Sequence, residues 1–187
     1  MERFGGFLHD EDERRKWQNP ENILAKIGLS RGMTFIDIGC GQGFFTIPAA
    51  RIVGDNGKVY ASDISQTNIA KLQKKLNAGG LNNVIVEAGK AEDLLSCEGC
   101  ADIVFFGIVL HDFENPLKVL ANAHAMLKPT GKLVDLDWKK EPTEIGPPLN
   151  IRFSEEQASQ LLATSGFHTQ LVLKSGLYHY IIMATLE

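Results

Sequence analysis

Residues 35–45 read "FIDIGCGQGFF", an apolar run that ends in three glycines within five positions. Phe35 to Ile38 has the β-branched and aromatic character of a buried strand. Gly39, Gly41 and Gly43 can adopt backbone angles closed to other residues and carry no Cβ, so the chain can turn here and let another group approach its backbone. Pro48 lacks an amide hydrogen and would break a helix interior, so the next helix has to begin near Phe44 with Pro48 in its first turn. That arrangement aims the unpaired amides of the helix into the turn, ready for a polar or anionic group.

The same strand-then-turn pattern recurs on either side. "MTFIDIG" (33–39), "KVYASDI" (58–64), "NVIVEAG" (83–89), "ADIVFFG" (101–107) and "GKLVDLD" (131–137) are short β-rich runs bounded by turn signals. Several are apolar on both faces, as strands covered from both sides must be. Helical patterns fill the gaps. Asn19-Pro20 opens a helix over about 20–28, and Ser65 caps one carrying Ile69, Leu72 and Leu76 up to Gly79-Gly80. Asn115-Pro116 starts another carrying Leu117, Leu120 and Leu127, stopped near Lys128-Pro129. Ser154 and Gln157 form a capping box for a helix with Ala158, Leu161 and Leu162.

Strands alternating with helices imply right-handed crossovers and a parallel sheet coated on both faces. At the C terminus two apolar runs are joined only by Lys174-Ser175-Gly176, too short for a crossover, so they must pair antiparallel. The expected fold is α/β: a doubly wound, Rossmann-like, mostly parallel seven-stranded sheet with a C-terminal antiparallel hairpin and helices on both faces. One domain is expected over 20–187, preceded by an N-terminal segment, 1–19, that carries Phe4, Phe7 and Trp17 and is a candidate lid. The proline-rich stretch 138–152 is the long loop most suited to a functional role.

Net charge is −4 over 187 residues, without the positive footprint that drives nucleic-acid binding. Lys71, Lys74 and Lys75 read as a solvated helix face. The polar start of the chain and the lack of any apolar run of membrane-spanning length point to the cytoplasm. Three cysteines fit a reducing compartment better than a disulfide scaffold. Cys97 and Cys100 spell C-x-x-C, but no second pair exists for zinc and the pair sits in a loop rather than at a helix start. No metal site is expected, and His9, His124, His168 and His179 lack ligand spacing.

What would the glycine turn hold? In open parallel sheets ligands bind beyond the carboxyl ends of the strands. A dinucleotide fingerprint needs a small residue where this chain has Phe44, and a P-loop needs a lysine and Ser/Thr that are missing. Asp63 ends the second strand 24 positions after Gly39, where an acid can accept both hydroxyls of a ribose. Turn and acid together describe a pocket for a nucleoside with a short attachment.

These residues resemble the class I S-adenosylmethionine-dependent methyltransferases. "IDIGCGQG" is similar to that family's first motif, "VYASDIS" to its second-strand acid, "AGKAEDL" to its adenine-side segment and "HAMLKPTGKLVDLD" to its helix and turn into strand five. The similarity spans about residues 20–186 and is greatest for the small-molecule branch that includes the ubiquinone and menaquinone C-methyltransferases. The resemblance implies S-adenosylmethionine as cofactor, S-adenosylhomocysteine as product and a small or medium-sized acceptor. By position, it puts Asp37, Gly39, Gly41 and Gly43 around the methionine part, Asp63 on the ribose and Ile64 against the adenine. Ala91 and Glu92 fall at the adenine edge and Gly107 near the sulfonium. Lys90 departs from the family pattern, because its ammonium only donates where the adenine amino group needs an acceptor, a role left to Glu92.

Methyl transfer from a sulfonium releases a neutral leaving group, so positioning and water exclusion dominate, with up to about 7–11 kcal/mol available from orientation. His111, in "GIVLHDF" beyond strand four, is the candidate base if the acceptor must lose a proton. Trp138 is a candidate wall for an aromatic or quinone-like acceptor, and Lys139 and Lys140 candidates to attract an anionic one, whereas Asp135 and Asp137 read as structural. Strand four is not followed by the Pro-Pro-aromatic pattern of enzymes that methylate adenine N6. Two other readings stay open: a nicotinamide-dependent oxidoreductase, and a non-catalytic binding module that keeps the fold.

Overall fold

The computed structural model describes residues 11–187. A short helix, α1 (Glu11–Arg15), precedes α2 (Pro20–Lys26), whose first turn is capped by Asn19 accepting from the Asn22 amide at 2.8 Å. Then follow β1 (Thr34–Ile38), α3 (Thr46–Val53), β2 (Lys58–Asp63), α4 (Gln66–Ala78), β3 (Val84–Ala88) and β4 (Ala101–Gly107). The chain ends with α5 (Pro116–Met126), β5 (Leu127–Trp138), α6 (Glu155–Thr164), β6 (Phe167–Ser175) and β7 (His179–Leu186). Pro48 is the third residue of α3, so the helix starts two positions later than expected with the proline still in its first turn.

One seven-stranded sheet has the order β3-β2-β1-β4-β5-β7-β6. The pairs among β1 to β5 are parallel; β7 runs antiparallel to β5 and to β6. The doubly wound sheet and its terminal hairpin are therefore as expected. Strand order reverses between β1 and β4, which places a crevice at their carboxyl ends.

Period-two alternation divides the core. Phe35 and Phe105 face α2 and α3, packing with Phe45, Leu24 and Ala49. Ile36, Val104 and Phe106 face α5 and α6, against Leu120 and Leu162. A smaller cluster of Cys40, Ala61, Leu72 and Leu76 seats α4 beneath the glycine turn.

Three details differ from what the sequence pattern suggests. The buried face of α5 is Val119, Leu120, Ala123 and Met126, while Leu117 is exposed and Leu127 already belongs to β5. Pairing to β4 shifts register between Ala101 and Ile103, and this irregularity absorbs Pro129 and the residues around it. Cys97 and Cys100 lie in the expected loop, but they are joined as a disulfide rather than left as two thiols. The bridge closes a sequence separation of only 3, so it stiffens the approach to β4 without linking distant elements. Cys40 is free and buried. No described helix is long and apolar enough to cross a membrane.

Phe105 is fully buried between Phe35 at 5.6 Å and Phe45 at 4.8 Å between ring centroids. Phe105→Ala leaves a cavity on one face of the central strand, so the unfolding free energy should fall by about 3–5 kcal/mol, measured from denaturant midpoints.

Candidate functional site

The turn after β1 is fixed from three directions. The amides of Gly39 and Cys40 both donate to the Ser62 carbonyl, at 2.8 and 2.9 Å. The Gly41 amide donates to Asp63 Oδ2 at 2.9 Å, and Lys75 Nζ donates to the Gln42 carbonyl at 3.2 Å. Lys75 also pairs with Glu11 of α1, so it is a bracing residue rather than part of a solvated face.

The three glycines have positive φ for different reasons. A Cβ on Gly39 would lie 2.6 Å from Val109 and one on Gly43 2.5 Å from Leu72, so those two are required by the protein's own packing. A Cβ on Gly41, at φ 56°, would meet nothing within 4 Å; this is the glycine that faces open space.

Asp63 holds the turn as well as bordering the crevice. Oδ1 accepts from the Ser65 amide at 2.8 Å and Asn68 Nδ2 at 3.4 Å, and Oδ2 from Gly41. A carboxylate has about four acceptor sites, which leaves capacity on Oδ2 for one more donor. Ile64, the next residue, is 69% exposed, an uncovered apolar side chain at the crevice edge.

On the far side of that edge, Asn122 Nδ2 donates to the carbonyls of both Ala91 and Glu92 at 3.0 Å. Glu92 Oε1 accepts from the Asn115 amide at 3.2 Å, where α5 begins, so one of its oxygens is already engaged. Lys90 is turned to the surface and pairs with Glu114.

Asp37 is buried with Oδ2 accepting from Thr46 Oγ at 2.6 Å; burial raises its pKa to about 6, against the opposing effects of Thr46 and Arg14. Gly107 is closely packed, since a Cβ there would lie 2.8 Å from Phe105 and 3.0 Å from Phe45. Ile108 follows with φ 64°, a backbone conformation that costs a β-branched residue of order 1–3 kcal/mol. Its amide donates to the Leu136 carbonyl at 2.7 Å, which holds the strained turn.

That turn delivers His111. Its side chain is 3% exposed, and Nδ1 lies 2.8 Å from both carboxylate oxygens of Asp137, a residue 1% exposed near the end of β5. Asp137 also accepts from the Trp138 amide at 2.7 Å. Burial works against a charged imidazole, but Asp137 and then Asp112 outweigh it, so the His111 pKa is raised. Asp137, read as structural from the sequence, is thus the partner of His111. Local spacing held no sign of it, because 26 positions separate the two. Asp135, two residues earlier, is buried beside the Tyr180 hydroxyl; burial and then Asp137 push its pKa well up, against the opposing effect of Tyr180.

Three other candidates are engaged by the protein itself. Trp138 is 1% exposed and packs against His179 at 4.3 Å, so its ring is internal. Lys139 Nζ donates to the Leu177 and Gly176 carbonyls and braces the β6–β7 turn. Lys140 is exposed and donates to Gln157. The 138–152 loop is pinned by Arg152, whose guanidinium donates to the carbonyls of Pro147, Lys139 and Glu141 at 2.8–3.1 Å. Phe4 and Phe7 lie outside the described residues, whereas Trp17 packs against Trp138 at 5.7 Å and His179 at 5.3 Å. Phe44, too large for a dinucleotide fingerprint, lies under the Arg14 guanidinium.

A doubly wound sheet with a braced glycine turn and a strand-end acid at its switch point defines a nucleoside-binding class of domain. Residues 29–168 match the family described as a methyltransferase domain. A structure of a SAM-dependent methyltransferase from Aquifex aeolicus superposes with TM-score 0.89 at 31% identity, covering 94% of this chain and 93% of that one. Demethylmenaquinone methyltransferase of Geobacillus stearothermophilus is 31% identical over 131 residues, 70% of this chain and 55% of the relative. The ubiquinone/menaquinone biosynthesis C-methyltransferase of Blochmanniella pennsylvanica is 38% identical over 108 residues, 57% of this chain and 42% of the relative. The chain spans about half the length of these two quinone-pathway relatives. It belongs to the family of S-adenosylmethionine-dependent methyltransferases.

The raised His111 pKa fixes a sign. The His111–Asp137 pair stabilises the fold fully below the unfolded value of about 6.5, and its contribution is lost as pH rises through the folded pKa. Against His111→Gln, the protein should therefore show a larger stability difference at about pH 6 than at about pH 9, read from denaturant midpoints.

Proposed function

We propose that this chain binds S-adenosylmethionine in the β1–β4 crevice and methylates a small or medium-sized acceptor, releasing S-adenosylhomocysteine. The observation that carries this reading is the open face of Gly41, held by Asp63 beside an exposed Ile64. A group seated there finds a backbone without Cβ, a carboxylate with spare acceptor capacity and an apolar surface, which together suit a nucleoside.

In this reading Asp37, Gly39, Gly41 and Gly43 surround the methionine part, Asp63 accepts from the ribose hydroxyls and Ile64 packs on the adenine. Ala91 and Glu92 border the adenine, and Gly107 lies near the sulfonium. When bound, the cofactor supplies a methyl group on a positively charged sulfur. The chain's own work is to orient the acceptor, exclude water and take a proton where the acceptor must lose one. Asp137 holds the Nδ1 proton of His111, which leaves Nε2 as the basic nitrogen. The candidate lid, residues 1–19, is described only from residue 11 onward, and there Trp17 packs against Trp138. The protein is read as cytoplasmic and as working on a small molecule rather than nucleic acid, in keeping with its acidic balance.

Titration calorimetry with S-adenosylhomocysteine checks the cofactor: saturable binding is expected, and no heat at about 1 mM ligand overturns the reading. Asp63→Ala should weaken that affinity about tenfold or more with the secondary structure retained. For the base, Asp137→Asn should lower kcat about 100-fold or more and shift the rising limb of the pH–rate profile to lower pH, because the imidazole loses the charge that raises its pKa.

A further inference from the structure

Three buried nitrogens have no hydrogen-bond partner among the described residues: Arg14 Nη2, Gln18 Nε2 and His179 Nε2. Their residues are 7%, 3% and 2% exposed. Two come from the N-terminal segment and one from β7, yet aromatic contacts join them. Arg14 Nε donates to Gln18 Oε1 at 2.6 Å, which orients the amide and leaves its NH2 end unpaired. Trp17 stacks on His179 with centroids 5.3 Å apart. The Arg14 guanidinium lies 3.9 Å above the Phe44 ring, immediately after the glycine turn.

A buried guanidinium needs an anionic partner, and none is hydrogen-bonded to Arg14 Nη2 among the described residues. The acids whose charge acts on it, Asp37 and Glu11, are bonded to Thr46 and Lys75 instead. Burial depresses the Arg14 pKa to about 9. Burial, then Arg14, Lys139 and Arg152, push His179 down to about 3, so its imidazole is neutral and can donate from Nε2 without adding charge. One positive charge, planar and forked, together with two neutral donors and aromatic walls, matches a single planar oxyanion.

We infer that Arg14, Gln18 and His179 form a carboxylate-binding site beside the glycine turn. The inference rests on the proposed cofactor in one respect, since two carboxylates are then at hand: the amino-acid end of S-adenosylmethionine, and one borne by the acceptor.

Calorimetry on the full chain and on Arg14→Met decides it, using three probes. They are S-adenosylhomocysteine, 5′-methylthioadenosine, which keeps the nucleoside and thioether but lacks the carboxylate, and benzoate, titrated into protein alone and into protein saturated with methylthioadenosine. A cofactor carboxylate in the site predicts that Arg14→Met weakens S-adenosylhomocysteine about tenfold or more and leaves methylthioadenosine unchanged. An acceptor carboxylate predicts unchanged affinity for both nucleosides and benzoate binding that is lost in the variant. Equal affinities for both nucleosides, with no benzoate binding that depends on Arg14, would overturn the site. Should Arg14→Met lose both nucleosides through undocking of α1, Gln18→Leu repeats the comparison with the guanidinium kept on Phe44. If neither nucleoside binds the unmodified protein, the cofactor reading falls, and the benzoate titration into protein alone still decides the site.

Discussion

One carboxylate ties two strand ends together. Asp63 closes β2 and accepts from Gly41 at the tip of the turn that follows β1. Ordering five residues of such a turn costs roughly 5–10 kcal/mol of backbone entropy, while a hydrogen bond to a charged group returns about 1.5–3. The bond alone does not hold the turn. It does so together with the packing of Gly39 on Val109 and Gly43 on Leu72, and with Lys75 on the Gln42 carbonyl. The crevice exists because its rim is over-determined, and Gly41 can face outward because its neighbours are clamped.

The carboxyl ends of β4 and β5 present a different electrostatic balance. Asp135 and Asp137 are both buried on one strand, and two adjacent buried acids cannot both ionise cheaply. The structure resolves the conflict by giving His111 to Asp137 and setting Asp135 beside the Tyr180 hydroxyl, where burial favours its neutral form. The strained backbone at Ile108 lets the chain fold back sharply enough to bring His111 to Asp137. Strain and buried charge thus coincide where the acceptor is proposed to lie, as expected of a site whose geometry is paid for by the surrounding core.

The aromatic cluster of Trp17, Trp138, Tyr178 and His179 joins the N-terminal segment to β5 and β7. It makes α1 part of the wall near the glycine turn, although that helix has only five residues and could not be stable alone. Arg14 is drawn in by the Phe44 face and by Gln18, at the cost of a buried charge whose Nη2 has no hydrogen-bond partner among the described residues.

The alternation of β-rich runs with capped helices is a local property, written in periodicity, Pro and Gly, so the doubly wound sheet, the terminal hairpin and the glycine turn were legible from the chain alone. So was the position of Asp63, because strand ends in a parallel sheet share one edge. Where local signals are weak, spacing misleads: Leu127 continues the apolar spacing of α5, yet it pairs with Ala101 across the sheet. Side-chain destinations were not legible. Nothing around Lys139 marks it as a brace for the β6–β7 turn, nothing around Trp138 marks it as internal, and the disulfide between Cys97 and Cys100 was not foreseen. His111 with Asp137, and Trp17 with His179, join residues far apart in sequence, so only the folded register could bring them together. Periodicity determines which elements form and which way they run; which buried groups then become neighbours depends on how strands and helices pack, and that is a property of the tertiary structure alone.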